Sequence, residues 1–325
     1  MKSKRLGTVI ALVALAAMLG YLAFQRDILD ALSTVPVWMA VVIVAVSGGA
    51  LLVQAVQYQT AVRIQKINMP LSEATALTAA NTMANYYLPA RGGMVVRAAY
   101  MKRVYAFPLA RYGALTVSIT GLTIIVAALI GAAGIAIGAV VSGELDRRAL
   151  FAFGGVALVV VLGMAIAMLL SGFAKGDGRF AEVVRSFRAG IAMWIDDRGG
   201  LAVFLFWTVA LFAAQGLRLW LSFRAVGVTV SFSGMMIIQA MAAMAFVLAL
   251  TPGNVGVKEG AVVFSASLLG IDPDIALLAS LIDRAAALIV TFGVGLASVR
   301  FLSKRTAIGS TDAAESIPDP GTSGD

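Results

Sequence analysis

Long apolar runs separated by short polar loops dominate the chain. Six are unbroken and near the 20 or so residues that cross about 30 Å of hydrocarbon. They are Leu6–Phe24, Val37–Tyr58, Ala114–Val141, Ala149–Leu170, Leu201–Phe223 and Ile275–Phe301. Leu6–Phe24 follows Lys2, Lys4 and Arg5 and outruns a usual signal-peptide core, so it is expected to stay as an anchor. Two further stretches, 72–103 and 233–270, are apolar but interrupted. The interruptions are Leu88-Pro89-Ala90-Arg91-Gly92-Gly93 and Thr251-Pro252-Gly253-Asn254-Val255-Gly256. Each is expected to form a re-entrant helical hairpin. The expected fold is an all-α polytopic membrane protein with about six full spans plus two re-entrant hairpins.

The interruptions recur at nearly constant spacing. Arg63 and Arg224 end spans, and Ser72 and Ser233 open the broken stretches. Pro89 and Pro252 break them, with Gly93 and Gly256 four residues on. The offsets are 161 for the first two pairs and 163 for the last two. Each unit, about 37–141 and 201–301, therefore reads as span, hairpin, span. Lys and Arg favour the cytoplasmic side of short loops. With both termini inside and each hairpin returning to its own face, 18 of the 25 Lys+Arg fall inside and six outside, Arg284 lying within a span. The two units then run in opposite senses, as an inverted-topology repeat. Such repeats place a binding site at their interface near the membrane midplane.

Composition narrows the chemistry. The chain is 60% hydrophobic and 13% charged, with neither Cys nor His, and its mean hydropathy is +0.93. That excludes a soluble domain, a disulfide framework, an imidazole base, and a His or Cys metal site. No metal or cofactor is expected. The net charge of +8 is spread over short loops, so no nucleic-acid partner is expected. In the loop 174–200, Phe180, Val183, Val184, Phe187, Ile191 and Trp194 share a helical face opposite Arg179, Glu182, Arg185 and Arg188. This predicts an amphipathic helix on the inner leaflet. The acidic segment 306–325, with two Pro and several Ser and Gly, is expected to be disordered, leaving 1–305 as one membrane domain.

The candidate site residues cluster at the two breaks. In the first hairpin, Asn85, Arg91, Gly92, Gly93 and Arg97 surround a restarting helix whose N-terminus offers free backbone donors. Arg91 and Arg97 either hold an anion, phosphate being the best fit, or snorkel to the interface. In the second, Asn254, Lys258 and Glu259 open the returning helix. Lys258 mirrors Arg91 as an anion contact, while Glu259 either caps the helix or joins a charge network. Asp283 and Arg284 interrupt the last span and cannot both face lipid. The reading places Arg284 toward a cavity and Asp283 toward Lys258 or Arg218; a buried structural network is the alternative. Gln54, Gln57, Gln215 and Gln239 either line the same cavity or only join helices. Gly134 and Gly138 fit close helix packing.

Tyr87-Leu88-Pro89-Ala90-Arg91-Gly92-Gly93 with Arg97, Pro252 to Glu259, and the late-span Arg284 resemble signatures of the lysylphosphatidylglycerol synthase transmembrane-region family, also called flippase-like domain proteins. The likeness covers roughly residues 5–305. Met94, Asn254 and Lys258 stand where that family has Glu, Gly and Arg. The resemblance implies the membrane half alone, without an aminoacyl-transfer domain. It also implies a bacterial or archaeal inner membrane and a homodimer. The expected function is therefore non-enzymatic: a translocase moving an anionic phospholipid or polyprenyl-phosphate-type lipid between leaflets. Arg91, Arg97, Asn85, Gly92, Gly93, Asn254, Lys258 and Arg284 would bind the lipid headgroup, with Glu259, Asp283 and Arg218 as a charge network. The alternatives are a small-anion transporter or channel, for which a continuous polar face along the spans is expected, or an accessory membrane enzyme or subunit in lipid-linked glycan metabolism.

Overall fold

The computed structural model describes residues 35–87, 92–142, 179–248 and 252–315, with a few positions between 150 and 158. The segments Leu6–Phe24 and 316–325, and nearly all of Ala149–Leu170, lie outside the described residues. The described secondary structure is helical throughout: α1 Val37–Ile64, α2 Leu71–Tyr87, α3 Gly93–Tyr105, α4 Leu109–Ser142, α5 Arg179–Asp196, α6 Arg198–Ala225, α7 Phe232–Leu248, α8 Val257–Leu268 and α9 Pro273–Glu315. A short 3₁₀ turn, Pro252–Asn254, joins α7 to α8. Proline punctuates the starts. Pro36, Pro70 and Pro108 immediately precede α1, α2 and α4, and Pro273 opens α9, where its missing N–H costs no helical hydrogen bond.

Among the described residues, four stretches are long and apolar enough to cross a membrane: Val37–Ile64, Leu109–Val141, Arg198–Ala225 and Pro273–Arg305. These correspond to four of the six expected spans, and α4 starts five residues before the expected Ala114. The last helix continues to Glu315, so the first part of the segment expected to be disordered is helical. No proline or glycine pair interrupts it before Pro318. With 17 residues each, α2 and α7 reach only about 25 Å at 1.5 Å per residue, short of a full crossing.

Each short helix folds back with its successor. Tyr100 and Tyr105, near the end of α3, hydrogen-bond to Glu73 at the start of α2. At the other end, the Gly93 N–H donates to Asn85 Oδ1. Likewise Leu269, following α8, lies against Gly234 at the start of α7. Both pairs are therefore helical hairpins that return to the end they left.

The helical pattern recurs along the chain. Helices of 28, 17, 13 and 34 residues are followed by helices of 28, 17, 12 and 43. Their first residues are offset by 161, 161, 164 and 164. The turns recur too. Lys66 and Gly227, 161 apart, are both left-handed, and Ala106 and Gly270, 164 apart, are as well. The Lys66 and Gly227 N–H groups bond to the Arg63 and Arg224 carbonyls respectively.

The equivalent helices α1 and α6 pack on one another antiparallel. Gln57 donates to Thr208, and seven residues further along α1, Ile64 lies against Gly200 near the start of α6. Each hairpin packs on the long last helix of the other unit: α2 on α9, and α7 on α4. Glycine permits both approaches. A Cβ on Gly134 would lie 2.9 Å from the Ser233 carbonyl oxygen, and one on Gly295 would lie 2.9 Å from Met83 Sδ. This bears out the close packing expected at Gly134.

Two apolar clusters form toward opposite ends of the bundle. One gathers Tyr58, Leu77, Met101, Trp194 and Phe204; the other gathers Leu219, Phe223, Ile238 and Val262. The amphipathic helix expected in 174–200 is α5. Its second half is fastened to the bundle: Trp194 is buried edge-on against Phe204 at 4.8 Å, and the Gly190 carbonyl accepts from Gln65.

Candidate functional site

A span of apolar residues tolerates a charge only where protein or water surrounds it. Asp283 and Arg284 meet this condition in the N-terminal half of α9, 0% and 3% exposed. Successive helical residues point about 100° apart, so the two serve different partners. Asp283 accepts from Arg218 of α6 through Nε at 2.6 Å and Nη2 at 3.1 Å. Its second oxygen also accepts from Lys258 Nζ of α8. Arg284 pairs through Nε with Glu259 and donates to the Gly253 and Asn254 carbonyls, each at 3.1 Å. Those carbonyls belong to the helix break, where Gly253 and Asn254 take φ of +61° and +56° and no helical partner is available. The guanidinium supplies the missing donors. Glu259 also accepts from the Gly256 N–H at 2.8 Å, so it is both cap and counterion.

The first hairpin brings its break to the same place. Tyr86 packs against Gly253: a Cβ there would lie 2.2 Å from its ring. The Gly93 backbone crosses so close to α2 that a Cβ would lie 2.1 Å from the Asn81 carbonyl oxygen. Gly92 precedes it in a right-handed conformation, as the N-cap of α3.

A cavity of about 340 Å³ opens where the two tips, α1, α4, α6 and α9 converge. Asn85, Arg97, Arg218, Asn254, Lys258 and Arg284 all line it. Arg91 lies outside the described residues. Gly92, Gly93, Asp283 and Glu259 sit behind the lining and position it. Arg97 stacks 3.8 Å above the Tyr58 ring, and its Nε has no hydrogen-bond partner. Among the described residues no carboxylate pairs with it. The Tyr58 hydroxyl, Asn81 Oδ1 and Asn254 Oδ1 are also buried without partners. Gln54, Gln57, Gln215 and Gln239 line the cavity, and they join helices as well: Gln57 bonds to Thr208 and Gln239 to Gln215. Thr116, Thr120 and Thr123 add a polar strip along α4. The spans are otherwise mostly Ala, Val, Leu and Gly, and the three threonines stand about one turn apart on α4 alone.

Glu73 escaped the sequence reading as a candidate. It is fully buried, and its Oε1 accepts from the Tyr100 hydroxyl at 2.7 Å and the Tyr105 hydroxyl at 2.8 Å. Oε2 has no hydrogen-bond partner and lies 4.0 Å from Arg305 Nε. The signal available in the sequence was an acid in the first turn of an otherwise uncharged helix.

The lysylphosphatidylglycerol synthase TM region family matches residues 8–295, nearly the full length of the helical bundle. The chain belongs to that family. It is a multi-pass membrane protein. It is also 28% identical over 142 residues to a UPF0104 membrane protein of Methanothermobacter thermautotrophicus. That match spans 42% of this chain and 40% of the relative. Asn85 and Arg97 from the first hairpin, and Asn254 and Lys258 from the second, line the cavity. Among the described residues, no group of three or more acidic side chains is placed to hold a metal ion.

Proposed function

We propose that this chain is a flippase-like lipid translocase, in which the cavity receives an anionic headgroup while the acyl chains remain in the bilayer. The observation that carries this reading is the convergence of two broken hairpins on one cavity, with Arg97 lining it and, among the described residues, lacking a carboxylate partner. Irregular backbone at membrane depth is tolerated only where protein or a water-filled cavity covers it. We read the hairpins as re-entrant and the two units as an inverted repeat, with both termini cytoplasmic in a prokaryotic inner membrane. The antiparallel packing of α1 on α6 supports the inversion. Such a pair has two near-equivalent arrangements, open to opposite faces. The role is transport, not catalysis, and a homodimer follows from the family resemblance.

The charge network supports a division of labour. Arg284, with its nitrogens on Glu259 and the two break carbonyls, holds the second hairpin in shape. Lys258 has three N–H donors and gives one to Asp283, so its other two remain for a ligand beside Arg97. Movement is downhill or coupled to an ion.

Dithionite quenching of fluorescent anionic lipid in proteoliposomes tests the proposal. Wild type should expose inner-leaflet lipid to the quencher, and Arg97→Ala should lose most of that rate while remaining folded. Equal rates for empty liposomes and wild type, or for wild type and Arg97→Ala, would remove the mechanism. The polar strip of Thr116, Thr120 and Thr123 favours a second reading, transport of a small hydrophilic anion. Anion flux into liposomes without lipid scrambling would establish it.

A further inference from the structure

Among the described residues, the charges around the cavity do not balance. Four cationic side chains line it: Arg97, Arg218, Lys258 and Arg284. Two carboxylates answer them: Asp283, shared between Arg218 and Lys258, and Glu259, held by Arg284. Among the described residues the surplus is therefore two positive charges. One is Arg97, without a carboxylate; the other is the second cation on Asp283. Uncompensated charge inside a membrane protein is costly. A ligand that brings two negative charges removes that cost, whereas one with a single negative charge leaves half of it.

We infer that the cavity selects a terminal phosphomonoester, the dianionic phosphate end of a lipid, over phosphodiester headgroups that carry one negative charge. This rests on the reading of the cavity as a headgroup site and narrows its substrate class. A phosphomonoester is close to a dianion at neutral pH, its second ionisation falling near pH 6, and it offers three terminal oxygens. Those oxygens suit the donors present: the Arg97 guanidinium, whose Nε is unpartnered, and the two remaining N–H groups of Lys258. A phosphodiester has two such oxygens and no second ionisation. The unpartnered side-chain Oδ1 atoms of Asn81 and Asn254 accept from any hydroxyl the ligand retains.

Titration of the purified full chain in detergent with dioctanoyl phosphatidic acid, dioctanoyl phosphatidylglycerol and inorganic phosphate tests the inference. At pH 7.5 phosphatidic acid should bind about tenfold more tightly than phosphatidylglycerol. The gap should shrink as pH falls through about 6 and the phosphate becomes a monoanion. Arg97→Gln should remove most of the gap. Arg97→Lys, which keeps the charge, should retain it and so excludes a folding artefact. Equal affinities for the two lipids, or a gap unchanged between pH 5.5 and 7.5, would overturn the inference while leaving lipid scrambling to be judged in proteoliposomes. Inorganic phosphate displacing phosphatidic acid at equal concentration would support the dianion site and overturn its lipid source.

Discussion

Asp283→Asn keeps the shape of the side chain and removes its charge, isolating the electrostatics of the α6, α8 and α9 junction. The wild-type carboxylate is 1% exposed as a side chain and receives three hydrogen bonds from two cations. At about 1.5–3 kcal/mol for each hydrogen bond to a charged group, the gross interaction is several kcal/mol. Part of it is recovered in the variant. The amide oxygen still accepts one bond from Arg218, and Lys258, 24% exposed, can turn toward water in the cavity. What remains is the penalty of cations buried without a counterion, about 3–5 kcal/mol. Lys258→Met should cost less, about 1–2 kcal/mol, because the bidentate Arg218–Asp283 pair survives. Equilibrium unfolding in mixed micelles of mild detergent and dodecyl sulfate would measure both. The double variant should be destabilised by less than the sum of the singles, since they share one network. A loss below about 1 kcal/mol for Asp283→Asn, or a larger loss for Lys258→Met, would refute the reasoning.

Gly93→Ala should destabilise by about 1–3 kcal/mol and open the first hairpin, because its Cβ would strike the Asn81 carbonyl oxygen; limited proteolysis between α2 and α3 would report the opening. Glu73→Ala should cost about 2–5 kcal/mol by leaving two phenols, Tyr100 and Tyr105, without their acceptor, and Glu73→Gln, which keeps one, should recover part of that in the same unfolding assay.

The helices and breaks were legible because their causes are local. Apolar runs gave α1, α4 and α6 close to their observed bounds, and α9 from its start but not to its end, which lies at Glu315 and not at the expected Phe301. Pro89, Pro252 and the glycines after them marked the hairpin tips. Asp283 was assigned to Lys258 or Arg218, and it bonds to both, since a charge in mid-span must find a partner. The rest needed tertiary contacts. Arg284 binds the Gly253 and Asn254 carbonyls, and backbone acceptors do not show in a sequence. Glu73 looked like an ordinary first-turn acid, because its partners lie 27 and 32 residues away on α3. The polar lining is scattered over several helices, and even the three threonines of α4 stand a turn apart among apolar residues.

The two hairpins are alike in outline and unlike in charge, and the difference predicts which one moves. On the second, Lys258 and Glu259 tie α8 to Asp283 and Arg284 of α9, and Val262, Ser265 and Ala266 are buried. On the first, α3 buries only Gly93, Tyr100 and Met101. Its described hydrogen bonds to other elements run only to α2, from Gly93 to Asn85 at one end and from the two tyrosines to Glu73 at the other, and Arg97 adds its stack on Tyr58 of α1. Arg97, which among the described residues has no carboxylate, rides on this lightly tied arm, whereas the paired cations sit on fixed elements. A ligand that bridges Arg97 and Lys258 would therefore draw α3 toward α8, and α8 would stay on α9. Because the chain has no Cys, spin labels can be placed singly. Labels at Val95 and Phe264, 70% and 50% exposed, are each paired with one at Ile289, 52% exposed. On adding phosphatidic acid, the Val95–Ile289 distance distribution should shift and narrow, and the Phe264–Ile289 distribution should stay put. A shift confined to the Phe264 pair would show that the salt-bridged arm is the moving one and that the ion pairs are switches instead of staples.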